Sequence, residues 1–293
     1  MGKTSLLGRI LHHARVNGEA RTVELSFQEA DIECLEQLET FLKWFCSITA
    51  QNLGIDPQIN EHWSNEFSHK TNATNYFQQY LLPLISGPLV LGLDEVDRLF
   101  SYDQVAKDVL SQWRNWHEKG KDDQQWERVR LIIVHSQEVY VPLNINESPF
   151  NVGLPIELPQ FTLAQVHDLS QLHGLASWSE EESKRLMQMV GGHPFLVRQA
   201  FYEIACGKTT LDQLLETAPT AAGIYHEHLR HHLLNLQEAG LDQVMKQVVQ
   251  SPSAVFIDSK PAFKLHSMGL VKYQGDNVIP TFDLYRQYFQ KQL

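Results

Sequence analysis

Hydrophobic residues along the first half of the chain fall into short continuous runs separated by helical patterns. The runs at 89–94 (LVLGLD) and 131–134 (LIIV) show almost no alternation, which predicts strands covered on both faces of a parallel sheet. Strands are predicted at 22–27, 89–94, 130–136 and 155–158, with helices over 32–52, 66–85 and 105–119 between them. From about residue 163 the strand signal stops, and helices are predicted at 163–173, 179–190, 194–206 and 210–217. Ser179 followed by Glu182 is the capping-box spacing for the second of these. Beyond residue 222 come two helices, a third at 260–267, and two β-type runs at 270–274 and 277–281 joined by Gly275 and Asp276. Three helices and a hairpin is the order of a winged helix. The expected organisation is an α/β domain at 1–162, a small helical domain at 163–221 and a winged-helix domain at 222–293.

A chain of 293 residues with 43% hydrophobic and 20% charged positions can bury one large or two modest cores, which excludes disorder. The net charge of −11 repels a phosphate polymer, so nucleic acid is disfavoured and protein partners or self-association are expected. Within 222–293, seven Lys and Arg face six Asp and Glu, which gives that domain no basic recognition surface. Cys34, Cys46 and Cys206 match no metal spacing or disulfide framework, and a reducing, cytoplasmic setting is expected. The longest apolar run, 81–93, is interrupted by Ser86, Gly87 and Pro88 and is too short to cross a bilayer. No signal-peptide pattern opens the sequence.

The chemistry concentrates at two places. The chain opens MGKTSLL, and Gly2-Lys3-Thr4 is the second half of the phosphate-loop pattern GxxxxGK[ST], in which backbone N–H groups and a helix start cradle phosphates. Lys3 would reach the β- and γ-phosphates of ATP and Thr4 would hold Mg²⁺. Alone, the triplet meets by chance about as often as by function. The second place is the run 89–94 followed by Glu95. Asp94 at a strand end suits the Mg²⁺ shell, and Glu95 beside it suits polarising an attacking water.

The segments MGKTSLLGRIL, LVLGLDEVDRLF, LIIVHSQEVYVPLNINESPFNVGLPIELPQFT and VGGHPFLVRQA together resemble the AAA-like ATPase domain abundant in cyanobacteria, a relative of the STAND and origin-recognition-like P-loop ATPases. The resemblance implies a P-loop NTPase parallel sheet, a helical lid, a C-terminal winged helix and a switch role in signalling or defence. It implies that Gly2, Lys3, Thr4 and Ser5 line the phosphate site, that Thr4 and Asp94 hold the metal, and that Lys3 and Glu95 are catalytic. Ser136 occupies the place of a polar γ-phosphate sensor, with His135 as runner-up. Gly192-His193-Pro194 resembles the lid motif near base and sugar, with Arg198 as a phosphate contact. Pro194 is equally explained as a first-turn proline.

The sequence departs from that family at its start, because the first glycine of the loop and the strand that delivers it would fall before Met1. The expectation is that the chain as given binds ATP weakly or not at all, with the Leu91 and Ile132 region opened at the sheet centre. A non-catalytic interaction protein with a degenerate nucleotide site is one alternative, and a DNA-associated ATPase of the transposition-regulator or origin-recognition kind another. Other clusters weigh less. His226, His228, His231 and His232 share a predicted helix and read as a solvated face rather than a Zn²⁺ site, and Trp113, Trp116 and Trp126 read as core. Arg98, Arg114 and Arg130 are indistinguishable as arginine fingers.

Overall fold

The computed structural model describes residues 2–135 and 149–293, which form two compact units, 2–157 and 158–293. In the first unit the order is α1 (Lys3–Asn17), β1 (Arg21–Ser26), α2 (Ile32–Glu36), α3 (Leu38–Asn52), α4 (His69–Asn75), β2 (Leu89–Asp94), α5 (Asp103–Lys119), α6 (Gln124–Glu127) and β3 (Val129–Ile133). The three strands are parallel in the order β1-β2-β3, with Ser26 opposite Asp94 and Gly92 opposite Ile132. All six residues of β2 are buried, as its unbroken apolar run requires of a central strand. Leu89, Leu91 and Leu93 face a core with Phe41 and Phe45 of α3 and Trp113 and Trp116 of α5. On the other face Val90 packs with Ala20 and with Leu7 and Leu11 of α1.

The structure corrects several predicted elements. No strand forms at 155–158, where Leu154 and Ile156 are 85% and 62% exposed. Pro155 and Pro159 each lack the N–H that a ladder needs, so this short segment has few donors to offer a neighbour. The predicted strand 130–136 ends at Ile133, although Val134 N–H still donates to Leu93 O at 2.8 Å, and Ser136 lies outside the described residues. The helix over 32–52 is broken at Gln37, whose backbone is extended. The stretch 66–85 is α4 followed by a π turn, Tyr76–Leu81, and a 3-10 turn, Leu82–Leu84, where Pro83 cannot donate to an α-helical ladder. Leu91 is fully buried between β1 and β3 rather than exposed, and Ile132 is half-buried on an edge strand. Trp113, Trp116 and Trp126 are core residues.

The second unit contains α7 (Leu163–Leu172), α8 (Glu180–Val190), α9 (Pro194–Ala205), α10 (Leu211–Thr217), α11 (His226–Glu238), α12 (Asp242–Gln250), α13 (Ser259–Ser267), the antiparallel pair β4 (Val271–Gln274) and β5 (Asn277–Pro280), and α14 (Asp283–Gln292). One core runs through it, from Val166 to Phe289. The capping box of Ser179 and Glu182 is present, and Thr162 with Gln165 and Thr210 with Gln213 repeat it at α7 and α10.

Gly192, just before α9, is fixed by close packing. A Cβ there would lie 2.0 Å from Phe161 O, while Phe161 N–H donates to Gly192 O at 2.8 Å. Gly192→Ala must push the backbone apart, and a loss of about 3 kcal/mol is expected in chemical denaturation. A loss below about 0.5 kcal/mol, the range of neutral surface changes, would show that the close approach is not required.

Candidate functional site

The absence of a side chain at Gly92 sets the geometry of the site. A Cβ at this position would stand 2.8 Å from Leu7 Cδ1 and 3.0 Å from Leu11 Cδ1, so α1 lies closer to β2 than another residue would allow. That seating carries the first turn of α1 over the carboxyl end of β2. There Thr4 Oγ1 donates to Asp94 Oδ2 at 2.6 Å, joining residues ninety positions apart. The other carboxylate oxygen, Asp94 Oδ1, accepts from Glu95 N–H at 2.9 Å. Asp94 is 7% exposed and its carboxylate is held from both sides.

Glu95 follows with a left-handed backbone, φ 58°, which is uncommon for a residue with a side chain. The strand ladder over-determines this turn, since Val134 N–H donates to Leu93 O at 2.8 Å and Val96 N–H donates to Val134 O at 3.1 Å. Gln28, two residues past β1, donates through Nε2 to Glu95 Oε1 at 2.7 Å. Arg98 ties the same two loops together by donating through Nη1 to Phe27 O at 2.6 Å. Neither contact was expected from the sequence. The parallel register that sets Ser26 opposite Asp94 is the signal that brings the loops after β1 and β2 side by side.

Lys3 opens α1 and is half-buried, and Thr4 and Ser5 follow on its exposed first turn. Gly2 caps the helix in the left-handed region, φ 89°, with no side-chain acceptor and no acid in the first turn. The first-turn N–H groups of α1 thus present positive charge beside the Asp94 carboxylate. The hard oxygens of Thr4 and Asp94 suit Mg²⁺. Neighbouring ligands of an octahedral Mg²⁺ with bonds of 2.0–2.1 Å stand about 2.9 Å apart, a few tenths of an ångström beyond the 2.6 Å seen here.

The structure therefore brings Gly2, Lys3, Thr4, Ser5, Asp94 and Glu95 to one edge of the sheet of the first unit. His135, the runner-up sensor, packs edge-on to Phe100 and Phe150, at ring separations of 6.2 and 5.2 Å. Of the arginine-finger candidates, Arg98 is committed to the Phe27 carbonyl, Arg114 pairs with Glu118 at 3.2 Å, and Arg130 donates to the carbonyls of Glu127 and Val129.

Residues 1–291 match the AAA-like domain family. The chain belongs to that family. The AAA-like domain shares 24% identity over 250 residues with an uncharacterized WD repeat-containing protein of Synechocystis sp., covering 79% of this chain and 20% of that one. The chain thus spans about a fifth of the length of that relative. Among solved structures it is similar to the Walker-type ATPase of Pyrococcus abyssi, with a TM-score of 0.56, 13% identity and coverage of 97% and 88% of the two chains. It also aligns with the Aeropyrum pernix ORC2 protein in ADPNP–ADP complexes, at a TM-score of 0.47, 15% identity and coverage of 99% and 85%. The first likeness places the AAA-like domain in the mixed α/β fold of P-loop ATPases.

In the second unit Pro194 is the first residue of α9, capped by His193, whose Nδ1 accepts from Leu196 N–H at 3.4 Å, and Arg198 is exposed. The packing of Gly192 against Phe161 accounts for the glycine of that motif without a ligand. The histidines of α11 correct the expectation of a solvated face. His226 and His231 are exposed, but His228 and His232 turn inward toward His193 and Tyr285. His228 Nε2 shares a 2.9 Å hydrogen bond with the Tyr285 hydroxyl. Burial pushes His193 and His228 down to about 4 and His232 to about 3, so all three rings are neutral near pH 7. Among the described residues no group of three or more His, Cys, Asp or Glu is placed to hold a metal ion.

Proposed function

We propose that this AAA-like domain is an ATP-binding switch module, with Mg²⁺-dependent hydrolysis of ATP where the phosphate loop is complete. The observation that supports this reading most is the Thr4–Asp94 contact of 2.6 Å, which joins the GKT turn to the acidic strand end as a metal site requires. Thr4 and Asp94 would hold the ion, which when bound offsets phosphate charge. Lys3 would stabilise negative charge on the β- and γ-phosphates, and the first-turn N–H groups of α1 would donate to phosphate oxygens. Glu95, held by Gln28 and pointed by its left-handed backbone, would orient the attacking water. Ser136 is proposed as the γ-phosphate sensor.

In the same reading residues 163–221, with Pro194 and Arg198, act as a helical lid. The order of α11, α12 and α13 followed by the β4–β5 hairpin supports reading residues 222–293 as a winged helix. A STAND-like signalling or defence role in the cytoplasm, acting through protein partners, completes the proposal. No helix among the described residues is long and apolar enough to cross a membrane.

Calorimetric titration with ATP tests the site. Asp94→Ala is expected to weaken Mg-ATP binding by about tenfold or more, the scale of one lost charge-assisted contact, while leaving metal-free ATP binding unchanged. Equal Mg-ATP affinities for the two proteins would remove Asp94 from the site and the reading with it.

A further inference from the structure

The outward side of α1 carries Arg9, His12, His13 and Val16 at the i, i+3, i+4, i+7 spacing of one helix face, with Arg15 beside them. All five are exposed, Val16 by 63%. Residues 1–18 contain no Asp or Glu, although the whole chain carries −11. Among the described residues neither Arg9 nor Arg15 enters an ion pair. The loop after β1 and helix α2 are the reverse. Residues 27–39 hold no Lys or Arg, and Glu29, Asp31, Glu33 and Glu36 are exposed around Ile32, itself 62% exposed. Each surface has one bared aliphatic side chain set among charges of a single sign.

The two surfaces lie on opposite faces of one sheet. Leu7 and Leu11 of α1 pack with Val90, whereas Cys34 and Leu35 of α2 pack with Leu89, Leu91 and Leu93. We propose that the basic face of α1 in one copy docks on the acidic face of α2 in a second copy, head to tail. A contact between unlike surfaces on opposite faces cannot close as a two-fold dimer and instead stacks copies in one direction. Duplex DNA is the poorer occupant, because Arg9 to Val16 spans about 10 Å and meets few phosphates. Five residues a side are far fewer than the roughly 20–30 of a standard interface, so the association is weak and salt-sensitive. It does not depend on nucleotide.

Sedimentation of the full chain at about 0.1 M and about 1 M salt, where the Debye length falls from about 10 to 3 Å, tests the proposal. Concentration-dependent association is expected at the lower salt and its loss at the higher. R9E/R15E and E33K/E36K are each expected to sediment as monomers, and the fourfold swap R9E/R15E/E33K/E36K to associate again. All four sites are exposed, and melting temperatures verify that the variants fold. A monomeric wild type at low salt, association unchanged in both double variants, or a swap that stays monomeric would overturn it. So would binding of a duplex oligonucleotide that R9E/R15E abolishes in a protein that does not self-associate.

Discussion

Glu95→Gln is expected to lower ATP turnover by about 10²-fold or more, the scale of a lost general base, with Mg-ATP affinity within about twofold of the parent, since the proposed metal contacts are those of Thr4 and Asp94. The amide keeps the size of the carboxylate and its contact with Gln28, and loses the charge that draws a proton from water. Gln28→Ala separates placement from charge. It leaves the carboxylate intact but frees Oε1 of its 2.7 Å partner. Its turnover is expected to fall by about tenfold, one hydrogen bond's worth, and Gln28→Asn is expected to recover part of that. Phosphate release and calorimetry on the three variants decide the assignment, and equal loss of binding and turnover in Glu95→Gln would remove Glu95 from the role.

The second large effect concerns acid. His193, His228 and His232 are neutral in the folded chain down to about pH 4, 4 and 3, because burial opposes their charge. In the unfolded chain each takes a proton near its ordinary value of about 6.5. Their contribution to stability is therefore full above about pH 6.5 and is lost as pH falls toward the folded values. Each ring contributes a slope of about 1.4 kcal/mol per pH unit in that window, and three rings in contact make the decline steep. Denaturation of the full chain at pH 7, 6, 5 and 4 should show it. His232→Leu removes a ring whose Nδ1 is buried without a hydrogen-bond partner, and a shallower decline is expected. Carboxylates common to both proteins cancel in that comparison, so parallel curves would refute the account.

The central strand was legible because LVLGLD is apolar without a break, and the structure buries all six residues. The helix caps at Ser179 and the hairpin at Gly275-Asp276 were legible because they are written in neighbouring residues. What escaped notice depends on distant partners. His228 and His232 looked solvated from the spacing of their own helix, yet Tyr285 on α14, 57 positions from His228, receives them. Gln28 carries no motif, and only the register of β1 against β2 places its amide on Glu95. The strand at 155–158 was inferred from apolar content, while its two flanking prolines had already removed the donors a ladder needs.

The seating of α1 on Gly92 leaves that helix with only Leu7 and Leu11 buried, whereas β2 is buried along its whole length. Amide hydrogens of α1 can therefore exchange with deuterium through a small local opening, while those of β2 wait for a much larger one. Thr4 and Asp94 belong to these two different layers of protection, so the proposed metal site is part scaffold and part hinged cover. A ligand that bridges them would draw its binding free energy partly from closing the cover, and would slow exchange throughout Lys3–Asn17 while leaving the strand beneath unchanged.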